Sequence, residues 1–372
     1  MNVTFVINEY NFYLTHRKEL INKISEKFSV NVITDLSDLS HSQLPNSNKQ
    51  DIKFIHLAKR KQASKIGYLL YAKSLQKLIS DNCSEQEKIF FVSLETCFIA
   101  SSISSLIKPR KLHFIIGGIG PYLLAANLRG LIIRKFYYFA FMGASKSTFI
   151  FQNRDDEKLF HSMNFCSNQN SKVIEGNGIN MNPEKDSKKA KQEKIIFSFA
   201  GRLVKSKGVC EFIDAAQTIH KKFPNVRFII AGEYNENDKD RIPRDYFHRI
   251  ISQPYINYHG YIQHEKMNEF LNLADIFVLP SFREGMPMSA LEAASLGMPL
   301  ILANTPGCKE CIEGNGFLVN PYSADDLANN MEKFIKNPEL IKEFGIMSMI
   351  LVRKRFSLEK ISNEYLKLIS SV

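Results

Sequence analysis

Pro-Ser-Phe-Arg-Glu-Gly-Met-Pro-Met-Ser-Ala-Leu-Glu-Ala-Ala-Ser-Leu-Gly-Met-Pro, residues 280–299, is the stretch that decides how the rest of the chain is interpreted. Residues 275–279 before it form a short apolar run with β-branched side chains, which is typical of a buried parallel strand. Pro287 suits the first position of a helix, nothing breaks a helix from 288 to 296, and Gly297 ends it. The stretch therefore predicts a strand, a loop containing a glycine and a short helix.

The loop of this unit is expected to bind an anionic ligand, because ligands of open α/β sheets bind beyond the carboxyl ends of the strands. The backbone from Gly285 through Met286 and Pro287 lies at the positive end of the helix, which suits a phosphate. Glu284 in the loop and Glu292 in the helix can accept hydrogen bonds from sugar hydroxyls. The alternative is that Glu284 only caps the helix and Glu292 is solvated.

The whole pattern Pro-Ser-x-x-Glu-Gly-x-Pro-x-x-x-Leu-Glu-Ala-x-x-x-Gly-x-Pro resembles the Glu-x7-Glu signature of retaining glycosyltransferases of family 4. That resemblance implies the GT-B fold, an α/β architecture of two facing Rossmann-like, doubly wound domains with an interdomain cleft. It implies that Glu284 binds hydroxyls of the donor sugar and Glu292 the ribose of a nucleotide sugar. It also implies that Gly285, Met286 and Pro287 border the donor.

The size and composition of the chain agree with two soluble domains. A length of 372 residues suits two domains of about 150–200 residues, with an ordinary 44% hydrophobic and 23% charged residues. No apolar run is long enough to span a membrane, and the start of the chain indicates a first strand rather than a signal peptide. The six cysteines lack the two pairs of a zinc site, which favours reduced cytosolic thiols and no metal.

Strand and helix patterns alternate along both halves of the chain, which predicts mostly parallel sheets. We expect an acceptor-binding domain at 1–180 and a nucleotide-sugar-binding domain at 181–355, with a polar stretch at 185–194 as linker or edge. By resemblance, a last helix at about 356–372 crosses back to the first domain. The predicted strands are 3–7, 30–34, 52–57, 89–92, 112–116, 148–151, 173–175, 195–200, 226–231, 256–262, 275–279 and 300–302.

The loop after the first strand has no Gly-x-Gly-x-x-Gly, so the dinucleotide fingerprint is absent. Tyr-Leu-Thr-His-Arg at 13–17 resembles a Phe-Leu-Ser-His-Arg string in the family 4 branch that builds bacterial surface polysaccharides. The resemblance implies that His16 and Arg17 lie at the interdomain cleft, near the donor phosphate or the acceptor. The alternative is a solvated helix start.

A glycine-rich turn, Gly-Gly-Ile-Gly at 117–120, follows a predicted strand, so its backbone can approach a ligand closely. The same branch has Thr-Gly-Leu-Gly here, which implies that Gly118 contacts the donor and Gly120 lies at the cleft. Gly117 replaces the usual hydroxyl. His113, within the preceding strand, is expected to be a packed structural residue.

A second basic loop, Gly-Arg-Leu-Val-Lys-Ser-Lys-Gly at 201–208, follows the strand 195–200 and suits a diphosphate. The family's Gly-Arg-Leu and Lys-Gly strings imply that Arg202 and Lys207 clamp the phosphates of the nucleotide sugar, whereas Lys205 is solvated. The family also implies that Gly232 and Tyr261 lie near the nucleobase. The family's Gly-x-x-Glu turn implies a supporting role for Glu310.

The formal net charge of +11 favours a polyanionic partner. No nucleic-acid-binding motif is present, so we expect an anionic membrane surface and phosphorylated substrates instead. Residues 121–142 mix Arg and Lys with Leu, Phe and Tyr, which suits a surface lying on an anionic bilayer. The basic residues at 59–61, Lys108, Arg110 and Lys111 add positive charge. The alternative is that 131–142 is a helix buried behind the sheet.

The family resemblance and the two acids together predict a retaining hexosyl- or N-acetylhexosaminyltransferase that needs no metal or other cofactor. A UDP-sugar is the favoured donor and GDP-mannose the second. The expected acceptor is an undecaprenyl-diphosphate-linked saccharide of O-antigen or capsule synthesis, at the inner face of a bacterial cytoplasmic membrane. A protein that binds a nucleotide sugar without turnover is the alternative.

Overall fold

The computed structural model describes residues 2–37, 39, 52–58, 65–107, 111–181 and 194–371. The chain divides into two compact units, Met1–Gly178 with Leu358–Val372, and Ile179–Ser357. The sequence predicts the corresponding breaks at 180 and 355. The basic residues expected at 59–61, Lys108 and Arg110, and all but the last residue of the stretch 185–194, lie outside the described residues.

The described residues of the first unit form a seven-stranded parallel sheet in the order β3-β2-β1-β4-β5-β6-β7. The order reverses between β1 and β4, so the sheet is doubly wound, and apolar clusters cover both of its faces. The strands are β1 Asn2–Glu9, β2 Ser29–Asp35, β3 Ile52–His56, β4 Lys88–Val92, β5 Lys111–Ile116, β6 Thr148–Phe151 and β7 Ser171–Val173.

The second unit has a six-stranded sheet in its described residues, again parallel throughout, in the order β10-β9-β8-β11-β12-β13. Here the order reverses between β8 and β11. The strands are β8 Ile196–Ala200, β9 Arg227–Ala231, β10 Ile256–Tyr258, β11 Ile276–Leu279, β12 Leu300–Ala303 and β13 Gly316–Val319. The sequence analysis missed β13, which begins with a glycine and is only partly buried, so it gives no continuous apolar signal.

Helices fill the connections between the strands. In the first unit they are α1 Tyr10–Phe12, α2 Lys18–Ser25, α3 Lys65–Asn82, α4 Leu94–Ser102, α5 Pro121–Leu124, α6 Leu128–Gly143, α7 Arg154–Ser162 and α14 Leu358–Ser370. In the second they are α8 Val209–Lys222, α9 Arg244–Ser252, α10 Met267–Leu271, α11 Met288–Ser295, α12 Ala324–Lys336 and α13 Glu339–Leu351. Tyr13–Arg17 and Val352–Phe356 are π-helical, and Ser104–Leu106, Lys205–Lys207, His264–Lys266 and Lys309–Cys311 are 3-10 turns.

Helix α14 explains why the end of the chain belongs to the first unit. It packs on α2, and its buried Ile361, Tyr365 and Ile369 share an apolar cluster with Leu20 of α2. Lys88 of β4 donates a hydrogen bond to the carbonyl of Leu368 at 2.9 Å, which ties the end of α14 to the sheet.

Candidate functional site

Two loops of the second unit lie next to each other where its strand order reverses. The loop 201–208 follows β8 and the loop 280–287 follows β11, and these two strands are neighbours in the sheet. Because the strands are parallel, both loops emerge at the same edge, which is the position where open α/β sheets bind ligands. The sheet topology therefore creates the candidate site.

Close backbone contacts fix one loop against the other. Gly208 has a φ of +71°, and a Cβ added there would lie 2.2 Å from the carbonyl oxygen of Pro280, so only glycine fits. The amide of Phe282 donates to the carbonyl of Ser206 at 2.9 Å, and the hydroxyl of Ser281 donates to the same oxygen at 3.1 Å. Neither loop can shift without breaking these contacts.

An ion pair between Lys207 and Glu284 joins the charged side chains of the two loops. The side chains are 23% and 12% exposed, so the pair is largely desolvated but still open to solvent. A cation beside a carboxylate can receive a phosphate and a sugar hydroxyl in one small volume, because the ammonium donates and the carboxylate accepts.

The backbone of Glu284 is held by a third loop, which follows β12. Its amide donates to the carbonyl of Pro306 at 3.1 Å. Gly307 has a φ of +84°, and a Cβ there would lie 2.4 Å from the carbonyl oxygen of Glu284. Glu310 accepts a hydrogen bond from the amide of Gly307 at 2.8 Å, so this acid supports the loop that supports Glu284.

Glu292 lies one helix away, on α11. Burial raises the pKa of its carboxyl from the ordinary value of 4.5 to about 7. His264 Nδ1 lies 3.6 Å from Glu292 Oε1. At neutral pH this carboxyl is thus divided between its protonated and ionised forms, so it can donate or accept a hydrogen bond.

The helix that carries Glu292 begins one residue later than predicted. Pro287 is the N-cap of α11, with a φ of −75° and a ψ of 97°, and Met288 is the first helical residue. The ψ of Pro287 is too extended for a helix, because the loop turns there to direct the chain into α11. Gly285, Met286 and Pro287 are buried at this turn.

Arg202 lies at the start of the same loop as Lys207 but differs from it in exposure. Its side chain is 67% exposed, and its ion pair is with Asp238, at 3.2 Å between Nη1 and Oδ2. An exposed pair of this kind is worth little and exchanges readily, so Arg202 can leave it for a ligand phosphate. Lys205 is exposed, in agreement with its expected solvation.

Gly232 directly follows β9 and is in close contact with two other loops. A Cβ at this position would lie 1.9 Å from the carbonyl oxygen of Gly201. Its amide donates to the carbonyl of Gly260 and its carbonyl accepts from the hydroxyl of Tyr258, both at 2.8 Å. Tyr261 is exposed in the segment after β10, which ends at Tyr258 rather than at 262.

Arg17 of the first unit is buried rather than accessible. The side chain is 1% exposed, and Nη1 donates to the hydroxyl of Tyr365 at 3.5 Å. The residue ends the π-helical turn Tyr13–Arg17, which leads directly into α2. The extra residue of a π turn rotates the chain, so Arg17 points into the apolar cluster with α14.

The other first-unit residues singled out from the sequence are at least partly exposed. His16 is exposed and stacks on Phe12 with ring centroids 4.5 Å apart. Gly118 and Gly120 are half-buried in the loop after β5, and a Cβ at Gly120 would meet nothing within 4 Å. His113 is packed as expected: it is buried and stacks on Phe90, and burial lowers its pKa to about 3.

The sequence analysis did not identify several residues that lie near the second-unit loops. Asp240 accepts from the amide of Ser206 at 3.2 Å and thereby fixes the turn that carries Lys207. Tyr322 has a φ of +65° and packs its ring on Phe282, with centroids 3.7 Å apart. These partners lie more than thirty residues apart in the chain, so no local pattern could have revealed them.

Two absences concern metals and membranes. Across residues 2–37, 52–58, 65–107, 111–181 and 194–371, no three His, Cys, Asp or Glu side chains group closely enough to hold a metal ion. In the same ranges no helix combines the length and the apolar character needed to cross a bilayer.

Comparison with known proteins finds a family and several relatives that are similar to the second unit. Residues 180–347 match the family described as "Glycosyl transferases group 1". The chain is 26% identical over 244 residues to the Campylobacter jejuni N,N'-diacetylbacillosaminyl-diphospho-undecaprenol alpha-1,3-N-acetylgalactosaminyltransferase, covering 61% of each chain. It is 28% identical over 186 residues to the capsular polysaccharide biosynthesis glycosyltransferase CapM of Staphylococcus aureus, covering 47% of each. The chain therefore spans about half of the length of these curated relatives.

Solved structures extend the similarity to both units. The crystal structure of Anabaena HepE in complex with UDP and glucose matches all of this chain with a TM-score of 0.79 at 17% identity. A sucrose-phosphate synthase from Thermosynechococcus elongatus matches 99% of it with a TM-score of 0.80 at 15% identity. Two parallel-sheet, Rossmann-like α/β units are thereby confirmed, and the structural neighbours are GT-B glycosyltransferases.

Proposed function

We propose that this chain, whose residues 180–347 match the glycosyl transferases group 1 family, is a retaining glycosyltransferase of family 4. It moves a hexosyl or N-acetylhexosaminyl group from a nucleotide sugar to an undecaprenyl-diphosphate-linked saccharide. The single observation that carries this proposal is the ion pair of Lys207 with Glu284, held in two adjacent loops at the point where the strand order reverses.

In the proposed reaction Lys207 neutralises the departing diphosphate and Glu284 binds hydroxyls of the donor sugar. Arg202 leaves its surface pair with Asp238 and adds a second cation. Lys207 is in position before the reaction, so it stabilises the developing negative charge without reorganisation, whereas Arg202 has to move first. The cations also allow transfer without a metal ion, which is part of the proposal.

Donor binding is completed by other residues of the second unit. Glu292 binds the ribose hydroxyls, and the buried backbone at Gly285, Met286 and Pro287 borders the diphosphate. Gly232 and the exposed Tyr261 border the nucleobase.

The acceptor side of the proposal uses the first unit. Gly118 contacts the donor, while His16 and Gly120 contact the acceptor. Both Glu284 and Glu292 act as hydroxyl binders, so retention follows a front-face path in which the leaving phosphate helps to remove the acceptor proton.

Two features support the choice of substrates. The Campylobacter relative is named for a diphospho-undecaprenol acceptor, and the Anabaena structure holds UDP and glucose. A UDP-sugar is therefore the first choice of donor and GDP-mannose the second. A protein that acts on such an acceptor functions at the inner face of a bacterial cytoplasmic membrane, where O-antigen or capsule is built.

The experiment is to measure release of UDP and GDP from a panel of nucleotide sugars, with and without extracted lipid-linked acceptor. We expect acceptor-dependent release of UDP from one donor, and loss of that release in Glu284→Ala. The matched control is Glu265→Ala, a change of an exposed acid in the same unit. If wild type and Glu284→Ala both bind UDP and leave every donor intact, the protein binds nucleotide sugars without turnover.

A further inference from the structure

Helix α6, Leu128–Gly143, is apolar on both of its faces. The inner face packs on the sheet and on α4: the ring of the buried Phe141 lies 5.2 Å from that of Phe149 in β6, and the ring of Tyr137 lies 4.4 Å from that of Phe98 in α4. The outer face is exposed and carries Leu128, Leu131, Ile132, Phe136, Phe139 and Met142. The outer rings of Phe136 and Phe139 are 64% and 68% exposed. A helix of a water-soluble protein normally presents polar residues on this side.

The structure rules out the interpretation of α6 as a helix buried behind the sheet. Six large apolar side chains at spacings of three and four residues form one continuous stripe on its solvent side. Continuous exposed apolar surface of this kind marks a binding interface. We call this stripe, with the adjoining exposed Tyr122 of α5, the outer face.

The charged residues of the segment that carries the outer face have one sign. No Asp or Glu occurs from residue 117 to 154, whereas Arg129 is exposed at the edge of the stripe and Lys135 is exposed within it. Arg134 instead donates to the carbonyls of Leu123 and Ala125, at 3.0 and 2.8 Å, and so fixes α5 against α6. The segment therefore combines the apolar stripe with exposed cations.

We propose that the outer face docks on an anionic lipid bilayer, with Phe136 and Phe139 entering the acyl boundary and Arg129 and Lys135 binding lipid headgroups. An apolar stripe flanked by Arg and Lys is the pattern that such a surface attracts. A second copy of the chain is a poorer partner, because a two-fold interface would place this acid-free, cationic face against itself. This inference names the surface by which the protein binds the membrane. It rests on the proposed function only for which membrane of the cell is bound.

The test is flotation of purified protein with phosphatidylglycerol–phosphatidylcholine vesicles and with phosphatidylcholine vesicles alone. We expect binding to the anionic vesicles and at least about a tenfold loss in Phe136→Asp/Phe139→Asp, because two apolar contacts are removed. Arg129→Ala and Lys135→Ala each weaken binding about fivefold. The matched control is Ile251→Asp, a similarly exposed apolar residue of the second unit, which leaves flotation unchanged.

Turnover and oligomeric state separate this inference from the proposed function. The Phe136→Asp/Phe139→Asp variant is expected to turn over detergent-solubilised acceptor as wild type does, which also shows that it folds. Wild-type protein that turns over acceptor but does not float overturns the docking inference alone. Flotation without turnover supports docking and counts against the enzyme. A wild-type dimer that the double variant dissociates assigns the outer face to a second copy and overturns the inference.

Discussion

The two sheets reverse their strand order at equivalent points, but the segments that follow use their basic residues in opposite ways. In the first unit, the segment after β1 contains no glycine and buries Arg17 beside Tyr365. In the second unit, the loop after β8 ends at Gly208 and leaves Lys207 partly exposed beside Glu284. One cation is buried in the packing of its unit, and the other is partly exposed in a loop at a strand end.

The difference shows that the sheet topology fixes where a loop lies, whereas the residues of the loop decide what it can bind. Glycines at 208 and 307 bring three loops into contact, which concentrates charge at one point of the second unit. In the first unit Arg17, the basic residue compared with Lys207, is instead buried by packing. We therefore expect changes in the second-unit loops to affect turnover, and changes at Arg17 to affect stability alone.

The largest expected effect comes from Gly208→Ala, which disrupts the close contact between the loops 201–208 and 280–287. A positive φ costs a non-glycine residue about 1–3 kcal/mol, and overpacking against Pro280 adds about 1–3 kcal/mol. We expect the free energy of unfolding of the second unit to fall by the sum of these two costs, as measured by urea denaturation. Gly260→Ala is the control, because it has a φ of +67° but its Cβ would meet nothing within 4 Å. Equal losses in both variants would show that the loop contact is unimportant.

Next in size is Lys207→Ala, which removes the cation proposed for the diphosphate. We expect kcat to fall by about 10²–10³-fold, the usual loss when one preorganised donor is deleted. Single-turnover kinetics with the identified donor measure it. Lys205→Ala, two residues away and exposed, should keep nearly full activity. Comparable kcat values for Lys207→Ala and wild type would remove the functional contrast between the two units.

A somewhat smaller effect concerns pH and Glu292. Its pKa of about 7 in the folded protein exceeds the ordinary 4.5, so the folded state holds this proton more tightly than the unfolded state. Stability from this group is complete below about pH 4.5 and is lost as pH rises through 7, by about 3 kcal/mol in all. The free energy of unfolding of Glu292→Gln minus that of wild type should grow over this range and level off above it. A difference independent of pH would contradict the raised pKa.

The smallest expected effect is that of Arg17→Met, which keeps most of the buried volume. We expect the free energy of unfolding to change by less than about 1.5 kcal/mol, with kcat and the KM for the donor unchanged. Steady-state kinetics and urea denaturation measure both. A clear rise in donor KM at unchanged stability would restore the phosphate-binding role that the sequence suggested for Arg17.

The sequence predicted most of the strands because buried parallel strands are continuous apolar runs, as at Ile276–Leu279. It also predicted that Lys207 and Glu284 belong to strand-end loops, and neighbouring strands then bring them together. It could not predict the burial of Arg17, which depends on Tyr365 at the far end of the chain. The pKa of Glu292 likewise depends on tertiary burial, and β13 lacked an apolar signal.

The most direct test of the contrast between the units is a crystal structure of the wild-type protein with a bound UDP-sugar. We predict electron density for the diphosphate beside Lys207 and the backbone of Gly285, with the ribose at Glu292. Nucleotide density elsewhere, with the loops 201–208 and 280–287 empty, would contradict the assignment of donor chemistry to the second unit.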